Sequence, residues 1–181
     1  ALGHRRVGGK PLDRQLVAWA KQHVEWTLAD GSAAYPDGVL MLVVDEEGRA
    51  AMTVGPYEGL AKSRLSSLLG RVDLAAREAA RTCVAPESLW LVRSGTLLWG
   101  IDQDLFPSGA ATLVEDLALT LGCRVERASG LLDDVRSRRM NFDEAFLVSD
   151  ELGVVLASDA EGPEGRRFRA SYQKLLERAG R

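Results

Sequence analysis

An uncharged lysine amine is the side chain best suited to attack a carbonyl carbon, and this chain offers few of them. Lys10, Lys21, Lys62 and Lys174 are its only lysines, far outnumbered by arginine. A second segment with chemical potential is Ser108-Gly109-Ala110-Ala111-Thr112, which opens a strongly helical pattern just after Pro107. A helix start offers unpaired N–H groups and a positive dipole end to an anion. Gly109 permits close backbone approach, and Ser108 or Thr112 adds a hydroxyl. The same residues also make a plain N-cap that needs no ligand. Ser149, at the end of an apolar run, is a third hydroxyl to consider, or simply a polar strand end. His4 and His23 accompany no nucleophile pattern and read as structural or solvated. Cys83 and Cys123 fit no Cys-x-x-Cys or Cys/His spacing, so two reduced, buried thiols are expected rather than a zinc site or a disulfide.

The elements that must position these residues follow from the apolar pattern. Leu12, Leu16, Trp19, Ala20 and Val24 recur at helical spacing, so a helix is expected from Leu12 to Leu28. Residues 1–11 are rich in Gly and Arg and read as a loose lead-in. The turn-rich segment DGSAAYPDG ends the helix. VLMLVVD and RAAMTVGPY around the turn EEG form a β-hairpin. Two short helices, Leu60–Leu69 and Asp73–Thr82, are expected on either side of Gly70. SLWLV and TLLWG are strands around RSG, and IDQDLFPSG is a loop. Ala110–Leu121 is an amphipathic helix, CRVERA a strand and LLDDVRSRR a short helix. EAFLVSD and GVVLASD form a second hairpin, and Arg167–Arg178 closes the chain as a helix. Helices alternate with strands while hairpins intervene, which favours an α+β, mixed-sheet domain. The tryptophans Trp19, Trp26, Trp90 and Trp99 are expected to fill cores rather than stack on a ligand.

Bulk properties narrow the class. The chain has 181 residues, 46% hydrophobic and 27% charged, which is ordinary for a folded protein. A net charge of −3 gives no global attraction to nucleic acid or acidic lipid. No apolar run is long enough to span a bilayer and no signal peptide is recognisable, so a cytoplasmic protein is expected.

From Asp73 to Arg178 the chain resembles the second half of the class IV, fold-type IV pyridoxal-phosphate (PLP) enzymes. These are the branched-chain aminotransferases, D-amino-acid aminotransferases and aminodeoxychorismate lyases. The resemblance rests on ordered pieces: DLAAREAARTCVAPESLWLV, LFPSGAATLVEDLALTLGCRVERA, LLDDVRSRRMNFDEAFLVSDELGVVLASD and GPEGRRFRASYQKLLERAG. Leu12–Tyr57 is similar, more loosely, to the end of the family's first domain. The resemblance thus implies a remnant of the N-terminal α/β domain at 1–58 and a C-terminal domain at 59–181. The rest of the first domain would lie outside a chain that begins at Ala1.

The resemblance also implies roles. Lys62 falls where the family carries the lysine that forms a Schiff base with PLP. Ser108, Gly109, Ala110 and Thr112 fall at the family's phosphate turn, "P-G-x-T-R", although this chain has Ala111-Thr112 where Thr-Arg is usual. Ser149 falls in its second phosphate-binding segment, with Asp150 and Glu151 beside it. The glutamate that faces the pyridine nitrogen has no direct counterpart: one register puts Trp99 there, and the other puts Cys83 there with Glu87 close by. Asp143-Glu144 matches a family "DE" pair expected to act locally at a strand entry. Arg136, Arg138 and Arg139 read as a solvated turn. The implied activity is transamination or lyase chemistry on an amino acid or aminodeoxychorismate, in a homodimer acting on a small molecule. The missing acid and the altered turn leave open a non-catalytic relative that keeps the fold as a binding or assembly module.

Overall fold

A computed structural model describes residues 2–32, 34–36, 38–45 and 47–179. The chain divides into two compact units, one of residues 1–59 with 81–83 and one of 60–80 with 84–181.

In the first unit a 3-10 turn, Leu2–His4, precedes β1 (Arg6–Val7) and β2 (Lys10–Pro11), which pair antiparallel. This lead-in is more regular than its composition suggests. Gly8 and Gly9 take φ of 55° and 77°, the left-handed pair that closes a two-residue hairpin. Helix α1 (Arg14–Ser32) starts where the Asp13 carboxylate accepts the N–H groups of Gln15 at 2.6 Å and Leu16 at 3.4 Å. Strands β3 (Val39–Val44) and β4 (Ala50–Gly55) form the expected hairpin, in register from Val39↔Gly55 to Val44↔Ala50. Helix α1 packs on β4. Trp19 and Trp26 do not fill a core as expected. They stay 37% and 60% exposed, with the His23 ring stacked on Trp19 and edge-on to Trp26.

In the second unit, α2 (Leu65–Thr82, its last two residues grouped with the first unit) leads to β5 (Val84–Ala85), β6 (Glu87–Arg93), β7 (Thr96–Gly100) and β8 (Phe106–Pro107). Then come α3 (Gly109–Thr120), β9 (Arg124–Arg127), α4 (Leu131–Arg136), β10 (Glu144–Ser149), β11 (Gly153–Leu156) and α5 (Pro163–Ala179). The break expected at Gly70 is absent, and α2 runs through it as one helix. A mid-helix glycine costs only about 1 kcal/mol. Leu68, Val72, Ala75 and Ala79 form a buried stripe that spans the position.

The main sheet has five strands in the order β11-β10-β6-β7-β9, antiparallel except for β7 with β9. The α3 crossover supplies that parallel connection. The segment expected as a loop before α3 contributes β8, which pairs parallel with β5 through Val84↔Phe106 and Ala85↔Pro107.

Both faces of the sheet are covered, which is why β6 and β10 read as continuous apolar runs. Trp90, Phe146 and Val148 face the side where Val114 of α3 and Phe168 of α5 pack. Leu89, Leu91 and Leu147 face the side of Leu68 and Val72 of α2 and Leu131 of α4. An aromatic column crosses the first side: Trp99 stacks on Trp90 at 4.7 Å, Phe146 follows at 6.1 Å and Phe168 at 5.9 Å beyond it. Both indole N–H groups donate to the buried Ser88 hydroxyl, at 3.1 and 3.0 Å.

Helix α5 begins at Pro163, four residues before the apolar pattern does. The buried Glu144 carboxylate, from the start of β10, accepts the N–H groups of Glu164 at 3.1 Å and Gly165 at 2.7 Å. Gly162 lies so close to Glu144 that any side chain there would collide with the carboxylate. Removing the carboxylate leaves two donors without their acceptor, so Glu144→Ala is expected to cost roughly 2–4 kcal/mol, and Glu144→Gln less. Urea unfolding of the two variants would check this; equal midpoints for Glu144→Ala and the parent would refute the role.

Candidate functional site

The candidate residues come from three places in the second unit: the coil before α2, the start of α3 and the turn after β10. Ser108, fully buried, is the N-cap of α3; its hydroxyl accepts the Ala111 N–H at 3.1 Å. Its carbonyl receives the Thr112 N–H at 3.1 Å and the Thr112 hydroxyl at 3.0 Å. The Ala110 N–H, one of the donors at this helix start, is already engaged. The Asp150 carboxylate, from the turn between β10 and β11, accepts it at 2.7 Å. The same oxygen lies 3.6 Å from where a Cβ on Gly109 would stand, an ordinary van der Waals distance. Asp150 also has a distant effect: burial, with the Asp150 charge second, raises the pKa of the Tyr172 phenol.

Ser149 is equally committed. Its hydroxyl donates to Glu87 at 2.9 Å and accepts the N–H groups of Glu151 and Leu152, both at 3.2 Å. Glu87 in turn grips the Arg71 guanidinium through both its oxygens, and Glu151 meets the same guanidinium at 3.1 Å. The hydrogen bonds to Glu87, then its charge and the contact with Glu151, hold Arg71 more firmly protonated despite partial burial. Among the described residues no buried side-chain nitrogen or oxygen lacks a partner.

Lys62 lies in the coil just before α2 and is exposed to solvent. That coil is fastened to the end of the β10–β11 hairpin. The Ser158 N–H donates to the Ser63 carbonyl at 2.9 Å, and Asp159 accepts the Leu65 N–H at 2.7 Å, which caps α2. Cys83 follows α2 with φ of 62° and is a free, half-buried thiol. Asp143 accepts the Ser94 N–H at 2.8 Å, and Arg136 and Arg139 pair with Asp73 and Asp134 at the surface.

A cleft of about 300 Å³ opens elsewhere in this unit, between α2, the loop after β7 and α4. Neither Lys62 nor the start of α3 lines it. Among the described residues, no helix is long and apolar enough to cross a membrane.

Three acids that cap helices, Glu144, Asp150 and Asp159, escape sequence reasoning in those roles. Each acts on a backbone N–H 20 to 94 residues away, so no local spacing announces it.

No protein-family profile and no curated protein matches the chain. Solved structures do. A provisionally named 4-amino-4-deoxychorismate lyase of Legionella pneumophila superposes with a TM-score of 0.57 at 11% identity, over 94% of this chain and 88% of its own. A second provisionally named 4-amino-4-deoxychorismate lyase gives 0.51 at 19%, over 93% and 86%. A provisionally named branched-chain amino acid aminotransferase of Thermotoga maritima gives 0.52 at 17%, over 76% and 65%. The chain spans 33% of the length of the Escherichia coli branched-chain aminotransferase, and 45% of another such enzyme crystallised with pyridoxamine 5′-phosphate. The α+β fold is that of these fold-type IV enzymes.

That fold brings an expectation of PLP, and the residues present do not fit its phosphate. The start of α3 already holds a carboxylate of its own. A second anion about 4 Å from that carboxylate would cost on the order of 4 kcal/mol per pair of unit charges near a protein surface.

The same geometry makes a pH prediction for the Lys62 segment. The Leu65 N–H, and more weakly Arg64, hold the Asp159 carboxyl below its ordinary pKa of 3.8. A depressed pKa in the folded state stabilises it above the ordinary value, and that contribution fades as pH falls through the lowered one. Urea midpoints across the acid range should show a fall that Asp159→Asn flattens. Parallel curves for the two proteins would refute it.

Proposed function

We propose that this chain is a non-catalytic relative of the fold-type IV enzymes that keeps their fold as a binding or assembly module. The observation that carries this reading is the Asp150 carboxylate on the Ala110 N–H at 2.7 Å. It supplies internally the negative charge that a helix start otherwise takes from a phosphate. Two further features support it. Ser149 is spent on Glu87 and on its own turn, and Cys83 or Trp99 stands where an acid would keep a pyridine ring protonated. In this reading the first unit is a remnant of the family's N-terminal domain.

The fold likeness favours a second reading, a PLP enzyme acting on amino acids or aminodeoxychorismate by transamination or lyase chemistry. Lys62 would form the Schiff base, and Ser108, Gly109, Ala110, Thr112 and Ser149 would hold the cofactor, within a cytoplasmic homodimer. It requires Asp150 to leave the α3 start.

Dialysis against excess PLP distinguishes the two. The purified protein should emerge without a cofactor absorbance band, and Lys62→Ala should look identical. A stoichiometric band that disappears in Lys62→Ala would overturn the non-catalytic reading, as would amino-acid-dependent turnover.

A further inference from the structure

The cleft between α2, the loop after β7 and α4 is open because the side chains around it are small. Ala76 and Ala79 of α2, Ala85, Gly100 and Ala128 contribute little volume. At Gly100 the wall has to stay small, since a Cβ there would come within 3.1 Å of both the Leu89 carbonyl and the Leu131 side chain. Val72, Ile101 and Leu131, all buried, add apolar surface. A space of about 300 Å³ suits a ligand of one ring with a short side chain.

The charges around it have one sign in excess. Three carboxylates, Glu87, Asp102 and Asp133, line the cleft, against the single guanidinium of Arg136. Arg136 is already paired with Asp73 and lies 4.0 Å from Asp133, so it is not available to a ligand anion. Glu87 is neutralised by Arg71. The Asp102 carboxylate is exposed at the cleft and has no hydrogen-bonding or ionic partner among the described residues. An open cleft with apolar walls and an uncommitted carboxylate at its edge is complementary to a cation with an apolar body.

We infer that this cleft binds a small organic cation, an arylalkyl primary amine in chemical class, with its apolar body between α2 and α4 and its ammonium at Asp102. The inference rests on the module reading, because it names a ligand for a binding module. It is nevertheless tested separately from the cofactor. PLP binding would sink the module reading and leave amine binding untouched, whereas absence of amine binding would sink only the present inference.

The experiment uses the whole chain, without PLP, and titrates phenethylamine, phenylacetate and 2-phenylethanol as probes, followed by backbone amide NMR shifts. Phenethylamine should bind saturably at one site, shifting amides at Ala76, Ala79 and Leu131. The neutral and anionic probes should bind on the order of tenfold more weakly or not at all. Ala76 and Asp102 are both exposed, so substitution at either spares the core. Ala76→Phe, which fills the cleft, should remove binding. Asp102→Asn should weaken the amine roughly threefold to tenfold while leaving the alcohol unchanged. Equal affinities for the three probes would overturn the charge assignment. Undiminished binding to Ala76→Phe would overturn the location, and no saturable shift with phenethylamine would overturn the inference as a whole.

Discussion

Three helices of the larger unit take their starting caps from one stretch of chain. Glu144 caps α5, Asp150 caps α3 and Asp159 caps α2, and all three acids lie within the β10–β11 hairpin and its flanks. A helix start leaves its first N–H groups without intrahelical partners, and a carboxylate meets both that shortage and the positive end of the helix dipole. Here the hairpin supplies the anions, so the ends of helices on both faces of the sheet are set by a single element. The Arg71–Glu87–Glu151 cluster, joined through Ser149, ties the same hairpin to α2 and β6.

This arrangement bears directly on function. The positive end of a helix favours an anion at the start of α3, and either a ligand or a side chain can provide it. Asp150 makes the site self-sufficient. The gain is a helix start whose Ala110 N–H has its acceptor within the chain. A cleft of the unit lies elsewhere, over the sheet face where α2 and α4 pack, and its edge carries carboxylates.

Much of the fold is legible in the residues. Continuous apolar runs mark β6 and β10 because both faces of the sheet are covered, and the stretch after Pro107 marks α3 with Ser108 as its cap. Gly70 misleads as a helix breaker because a glycine's local cost is small beside a buried stripe of four apolar residues. The Gly8-Gly9 hairpin escapes notice because flanking strands of two residues carry no alternation to detect. The candidate site is legible only as a set of positions. That Ser108, Gly109, Ala110 and Thr112 gather at a helix start follows from the sequence. That Asp150 turns toward them depends on a tertiary contact spanning 40 residues, and spacing cannot reveal it.

The placement of the tryptophans has a spectroscopic consequence. Trp90 and Trp99 are stacked, sealed from water and hydrogen-bonded to one serine hydroxyl, with the Arg127 guanidinium 4.5 Å from the centre of the Trp99 ring. Trp19 and Trp26 belong to the other unit and are partly in water. The intrinsic emission of the chain is therefore expected to combine a blue component from the buried pair with a redder, quencher-accessible component from the exposed pair. Acrylamide would silence the second pair first, so a single fluorescence spectrum can follow the melting of each unit separately without any added label.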